Sequence, residues 1–500
     1  MNRTLLLPLF AFACMVASLC AESPERDEPA PPFKDNLITT QSSVNIGGRP
    51  VDYTATTGTI ALKDDQGKPK ANLFFVAYTK DGVDDLSKRP VTFVTNGGPG
   101  SSAVWLHLGV FGPRRVQFDE KEGLDAPPYD LIPNEFSLLG VTDLVFIDPV
   151  STGYSRAAPG EDPKQFHGVE EDVKYLADFI QLYLTRNQRW TSPKFFAGES
   201  YGTTRAAAIA NYLHDNDHIY LNGVILISTV LNFQNLDFDK GNDNPYFLFL
   251  PSYAATAWYH KRLPEDLQKK PLPDVLKEVE TFAINDYALA LLKGDRLSKQ
   301  ERENVVKRLA RYTGLSPAYI EKSNLRVPML RFAKELLRDQ HRTVGRFDSR
   351  QQGIDSDAAG ERFEYDPSFD AIVGAFTAGF NQYASTELGW KSDTKYEVLA
   401  NVFPWKYGKA TNSYLNVAED LRDVMTRNPK LKVFAANGLY DLATPYFGAQ
   451  FTFDHLGLDP SLRRNFVVRE YEGGHMMYSF PPSLKKLTQD LSSFIQEASK

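Results

Sequence analysis

Short, nearly unbroken apolar runs recur along the chain: ANLFFVAYT from Ala71, PVTFVT from Pro90, TDLVFI from Thr142, KFFA from Lys194, GVILIS from Gly223, KVFAAN from Lys432 and NFVVREY from Asn465. Several are continuous rather than alternating in polarity, the pattern of strands covered on both faces. Between them lie stretches with helical spacing, VEEDVKYLADFIQLYLTRN from Val169 and TTRAAAIANYL from Thr203. Strand and helix in alternation predict an α/β fold with a mostly parallel central sheet. From about 234 to 400 the text turns helical and charged, as in SKQERENVVKRLARYTG and VPMLRFAKELLRD, and strands resume only near 431. The economical reading is one sheet domain in two parts, 37–233 and 401–500, interrupted by a mainly helical insertion, 234–400, that caps the C-terminal edge of the sheet.

At 500 residues, 42% of them hydrophobic and 24% charged, the chain is globular and long enough for a large core. The net charge of −7 is spread along the sequence with no basic block, which argues against nucleic acid as a partner. The N-terminus, MNRTLLLPLFAFACMVASLCAES, joins a basic start to an apolar stretch from Leu5 to Val16 and small residues near Ala21. That stretch is too short to span a bilayer and fits a cleaved export signal over 1–21. A lipid anchor at Cys20 is disfavoured by the bulky Leu19 before it. The expected location is the periplasm or the outside of the cell, and no later apolar stretch is long enough for a membrane span. Both cysteines, Cys14 and Cys20, fall in the signal, so the mature chain has no disulfide, which points to a bacterial exported protein. Residues 22–36, charged and Pro-rich, predict a flexible leader. DFDKGNDN from Asp237 has part of a calcium-loop pattern, but its glycine is out of register and no glutamate closes it, so it reads as a polar loop.

Chemistry enters at Gly198-Glu199-Ser200-Tyr201-Gly202. It fits G-x-S-x-G between a predicted strand and a predicted helix, where that turn holds a serine hydroxyl above the sheet. Side chains at the flanking positions would collide with strand or helix, hence the glycines. A serine hydroxyl is a weak nucleophile and needs a base, which needs an orienting acid. In such sheets the chain order is Ser, Asp or Glu, then His. Asp441, in AANGLYDLATP, and His475, in EYEGGHMMY, each follow a predicted strand and keep that order. An oxyanion site needs two donors: the N–H of Tyr201, after the nucleophile, and one from the loop VTNGGPGSSAVW, assigned to Gly98.

Taken together, NGGPGSS, FIDPVSTGYSR, GESYGT, NGLYDLATP and EGGHMM resemble the serine carboxypeptidases of the α/β-hydrolase superfamily, in family order over about 90 to 480. The resemblance implies a triad of Ser200, Asp441 and His475, an oxyanion hole of Gly98 and Tyr201, and a peptide's C-terminal carboxylate bound by Asn96 and Glu199. A carboxyl beside a substrate carboxylate must be protonated to donate a hydrogen bond, so activity is expected to favour acidic pH. The sequence departs from the family pattern at Val94, where a tryptophan is usual, at Ser101, where cysteine is common, and at Val110, where a second glutamate is usual. These changes leave the triad alone and thin the carboxylate clamp. Tyr154 is expected to shape the pocket. The expected reaction is acyl transfer to Ser200 from peptide substrates with release of an amine, then hydrolysis, without metal or organic cofactor. An esterase or acyltransferase on the same parts, and a binding protein that has lost turnover, are the alternatives.

Overall fold

All seven predicted strands form, joined into one ten-stranded sheet. The computed structural model describes residues 33–118, 127–129 and 131–500, so the export signal over 1–21 and most of the leader lie outside the described residues. The strands are β1 (Asn36–Ile46), β2 (Arg49–Lys63), β3 (Pro69–Lys80), β4 (Val91–Thr95), β5 (Asp143–Ile147), β6 (Lys194–Glu199), β7 (Gly223–Ile227), β8 (Lys432–Gly438) and β9 (Phe466–Tyr471). Their spatial order is β1-β2-β3-β5-β4-β6-β7-β8-β9, and the two-residue strand Arg156–Ala157 pairs with β3. Pairing is antiparallel as far as β3–β5 and parallel from β5–β4 onward. This is the α/β-hydrolase fold. The β1–β2 hairpin, which the apolar pattern did not single out, turns on Gly47 and Gly48, both with positive φ (56° and 81°).

The two faces of the sheet feed two cores. Phe75, Phe93, Val145, Phe196, Leu226 and Ala435 point to one side, against helices α1 (Val169–Arg186), α2 (Tyr201–Asn216) and α7 (Ala418–Arg427). Phe74, Val94, Phe146, Ala197, Ile225 and Ala436 point to the other, against α6 (Pro367–Thr386) and α8 (Pro481–Ala498). Such period-two division needs strands apolar on both faces, and each fully buried Phe or Leu contributes about 1.5–3 kcal/mol.

Within 234–400, helices α3 (Leu250–Tyr259), α4 (Leu272–Phe282) and α5 (Lys299–Thr313) build a separate core in which Tyr253 stacks on Phe332 at 4.0 Å. α6 lies in the same range yet packs on the sheet through Ile372, Phe376, Phe380 and Tyr383. Independent packing thus ends near the small hairpin of Thr343–Val344 and Gln352–Gly353, short of residue 400. In the Asp237 loop, the Asn242 side chain donates to the carbonyls of Gln234 and Asp237, both at 2.7 Å.

Register places the site. Thr95 is paired with Gly198, Glu199 with Ile227, and Gly438 with Tyr471, so β4, β6, β8 and β9 end together at the C-terminal edge. Asn96, Ser200, Asp441 and His475 each lie within four residues of one of those ends.

Candidate active site

The turn after β6 is forced by close approach. A Cβ on Gly198 would lie 1.9 Å from the carbonyl oxygen of Gly202, and one on Gly202 would lie 3.0 Å from that of Thr95. Ser200, between them, has φ 60° and ψ −129°, a conformation that costs a non-glycine residue about 1–3 kcal/mol. The surroundings hold it there: its N–H donates to the Ile227 carbonyl at 2.9 Å, and α2 begins at the next residue.

Two loops bring the expected base and its orienter together. His475 Nδ1 is 2.8 Å from Asp441 Oδ2. Asp441 is fully buried and accepts three further hydrogen bonds, from the N–H groups of Ala443 (2.7 Å) and Thr444 (2.9 Å) and from Thr444 Oγ1 (2.8 Å). That donor set satisfies the buried carboxyl group and fixes its orientation. On the other side the Phe347 ring stacks on the imidazole, with centroids 4.8 Å apart and planes 12° apart. Phe347 also accepts the main-chain N–H of His475 at 2.5 Å. Burial pulls the His475 pKa down, but the charge and hydrogen bond of Asp441, helped by the charge of Glu199, outweigh it and leave the pKa raised. Ser200, Glu199, Gly98 and His475 line one cavity of about 450 Å³, walled largely by Trp105, Phe347, Phe369, Leu399, Phe403 and Met476.

The loop after β4 presses on the serine turn. A Cβ on Gly97 would sit 2.6 Å from the Tyr201 nitrogen and 2.7 Å from Ser200 Cβ, so position 97 must be glycine for the two backbones to meet. Gly98 follows with φ 104°, and Tyr201 N–H, at the first turn of α2, has no acceptor within its helix. Beneath, the buried Arg205 guanidinium donates to Asp172 Oδ2 at 2.6 Å and to the Asn96 carbonyl, tying α1, α2 and the loop after β4 into one base.

Asn96 and Glu199 are also joined: Asn96 Nδ2 donates to Glu199 Oε1 at 3.0 Å. Tyr478, which no sequence pattern marks, donates to Glu199 Oε2 at 2.6 Å. Burial pushes the Glu199 pKa up to about 7, against the lowering effects of His475, Tyr478 and Asn96. Val94 and Val110 are fully buried and bring no polar group to this clamp. Ser101 Oγ accepts from Trp105 Nε1 at 2.7 Å at the cavity wall. Tyr154 is a correction: it is packed in the core between Phe74 (5.0 Å) and Tyr396 (5.0 Å) and does not line the cavity. Its ring is held there by the aromatic cluster on the α6 side of the sheet.

The chain is 32% identical over 155 residues to the pheromone-processing carboxypeptidase KEX1 of Saccharomyces cerevisiae, covering 30% of this chain and 20% of that one. It is 26% identical over 186 residues to serine carboxypeptidase-like 11 of Arabidopsis thaliana, covering 35% of this chain and 40% of that one. The matched regions thus span less than half the length of these relatives. The solved structure of KEX1(delta)p, a prohormone-processing carboxypeptidase from Saccharomyces cerevisiae, superposes with a TM-score of 0.54 at 18% identity over 88% of this chain and 91% of that one, a likeness of fold. The sequence model of the serine carboxypeptidase family matches residues 48–479. With the match running from β2 through the insertion and all the loops just described, the chain belongs to the serine carboxypeptidase family.

Proposed function

We propose that this protein is a serine carboxypeptidase that removes residues from peptide C-termini through an acyl-enzyme on Ser200. The observation that carries the reading is the 2.8 Å contact between His475 and Asp441, with His475 and Ser200 on the wall of the same cavity. His475 Nε2 takes the Ser200 proton as Oγ attacks the scissile carbonyl. Asp441 holds the other ring nitrogen and stabilises the imidazolium. The N–H groups of Gly98 and Tyr201 receive the developing oxyanion, a contribution of about 3–4 kcal/mol per donor. His475 then protonates the leaving amine, and water, activated by the same imidazole, hydrolyses the ester. Asn96 and protonated Glu199 hold the substrate's terminal carboxylate, and the helical insertion walls the pocket from above. The protein is exported by its N-terminal signal to the periplasm or medium, as a bacterial-type member of the family; confinement of both cysteines to residues 14 and 20 supports this.

The test is a mass-spectrometric time course on a mixed peptide pool, with Ser200→Ala as the control. Residues should be lost one at a time from the C-terminus. Cleavage at internal bonds, or loss unaffected by S200A, contradicts the proposal. The apolar residue at 110 favours a second reading, an esterase or acyltransferase, because it leaves the carboxylate clamp with fewer donors. That reading predicts turnover of blocked esters while blocked dipeptides with free C-termini persist.

A further inference from the structure

Among the residues lining the Ser200 cavity, Arg346 is the one Lys or Arg side chain. Its backbone is fixed on both sides: its N–H donates to Asp366 Oδ1 at 3.0 Å, and its carbonyl accepts from Leu442 N–H at 3.0 Å. Its neighbour Phe347 is the ring stacked on His475, and Arg346 Cζ lies 5.4 Å from that ring's centroid. The guanidinium is therefore held at the cavity wall beside the expected base.

What sets it apart is the lack of a partner. Arg205 is paired with Asp172 at 2.6 Å, and Arg350, four residues on, with Asp348 at 2.7 Å. Among the described residues, no carboxylate oxygen lies within 4 Å of the Arg346 guanidinium nitrogens and none of them donates a hydrogen bond; the guanidinium lies over the Phe347 ring. Burial lowers the pKa of its guanidinium, and the fields of Asp366 and Asp441 offset only part of that. An arginine stays protonated in such a setting and keeps five donors in a planar fork that matches a carboxylate. The clamp of Asn96, Glu199 and Tyr478 offers hydrogen bonds but no positive charge.

We propose that Arg346 binds a carboxylate of the substrate, so that the cavity selects peptides carrying an anionic group next to the scissile bond. This rests on the acyl-transfer reading above. The carboxylate has two sources, the main-chain terminus of the departing residue or an acidic side chain beside the cleaved bond. Both present the same planar anion.

The test uses the full-length protein and N-blocked dipeptides ending in Gln or Glu, each as free acid and as C-terminal amide, with a blocked neutral ester alongside. Wild type, Arg346→Gln and Arg346→Lys are compared after thermal unfolding establishes that each is folded. A lost charge-assisted bond predicts that R346Q lowers kcat/KM on the anion-bearing member of a pair about 10- to 100-fold more than on its neutral partner, with R346K between. Collapse of the acid-to-amide ratio assigns the main-chain carboxylate, and collapse of the Glu-to-Gln ratio assigns the side chain. If R346Q keeps both ratios while hydrolysis of the ester continues, the assignment of Arg346 is wrong. If wild type cleaves neither dipeptide nor ester, the acyl-transfer reading fails and this pairing with it.

Discussion

Replacing Glu199 with glutamine tests the clamp through pH. Glu199 is buried, with Asn96 Nδ2 at 3.0 Å and the Tyr478 hydroxyl at 2.6 Å, and its pKa is pushed up to about 7. The neutral form can donate to a substrate carboxylate, whereas the ionised form repels it. At pH 5 about 99% of the clamp is protonated and at pH 8 about 10%, so KM for a peptide with a free C-terminus should rise about tenfold over that range, or about 1.4 kcal/mol. In E199Q the amide donates at every pH, and KM should stay flat. The acid limb behaves differently. His475 must be neutral to take a proton, and its pKa is raised, in part by the charge of Glu199, so activity falls as pH drops through that pKa. Stability gives an independent readout. The folded state holds a proton that the unfolded chain releases above pH 4.5, so stabilisation is full below 4.5 and is lost as pH rises toward 7. Over that interval the loss is about 3 kcal/mol, and E199Q should abolish it. The assays are kcat and KM from pH 4.5 to 8.5 on a blocked dipeptide, with a neutral blocked ester as control, and urea unfolding over the same range. A wild-type KM that stays flat, or an E199Q variant whose KM still climbs, refutes the reasoning.

Ser200→Gly should abolish activity while raising stability by about 1 kcal/mol, because glycine relieves the φ 60° strain, whereas S200A abolishes activity without the gain; denaturant midpoints separate the two. Gly198→Ala drives a methyl to 1.9 Å from the Gly202 carbonyl oxygen and should cost about 3 kcal/mol or more, read as a lowered unfolding midpoint; an unchanged midpoint would mean the turn is soft. Arg205→Met strands the buried Asp172 carboxylate and should destabilise the fold by about 3–5 kcal/mol, read as a lowered denaturant midpoint.

The strands after β3 could be read directly because their apolar runs are covered on both faces. β1 and β2 escaped because the exposed face of the sheet-edge strand β1 carries Thr, Gln and Ser, which resemble loop text, although Gly47-Gly48 marks their turn. Ser200, Asp441 and His475 were legible because each needs a local signature, a glycine-flanked turn or a strand end, that survives in one dimension. Tyr478, Phe347 and Arg346 have none. Tyr478 reaches Glu199 from the short turn Met477–Ser479 before α8, 279 positions away, and Phe347 and Arg346 arrive on the hairpin at 343–353, contacts that leave no periodic trace. Tyr154 was misjudged for the converse reason: its neighbours in the sequence suggest a pocket loop, while Phe74 and Tyr396 draw its ring into the core.

The segment between Val344 and Gln352 is stitched to the loops that carry Asp441 and His475 by main-chain bonds: Leu442 to Arg346, Ser349 to Tyr440 and His475 to Phe347. Only glycine fits at 474, because a Cβ there would fall 2.1 Å from the Phe347 oxygen. The pair of Asp441 and His475 is thus clasped by the same stretch of chain that lines the pocket through Arg346 and Phe347. A chimera that exchanged residues 234–400 for another protein's roof would carry off the buckle along with the roof, and would have to retain 344–352 for its imidazole to stay aimed.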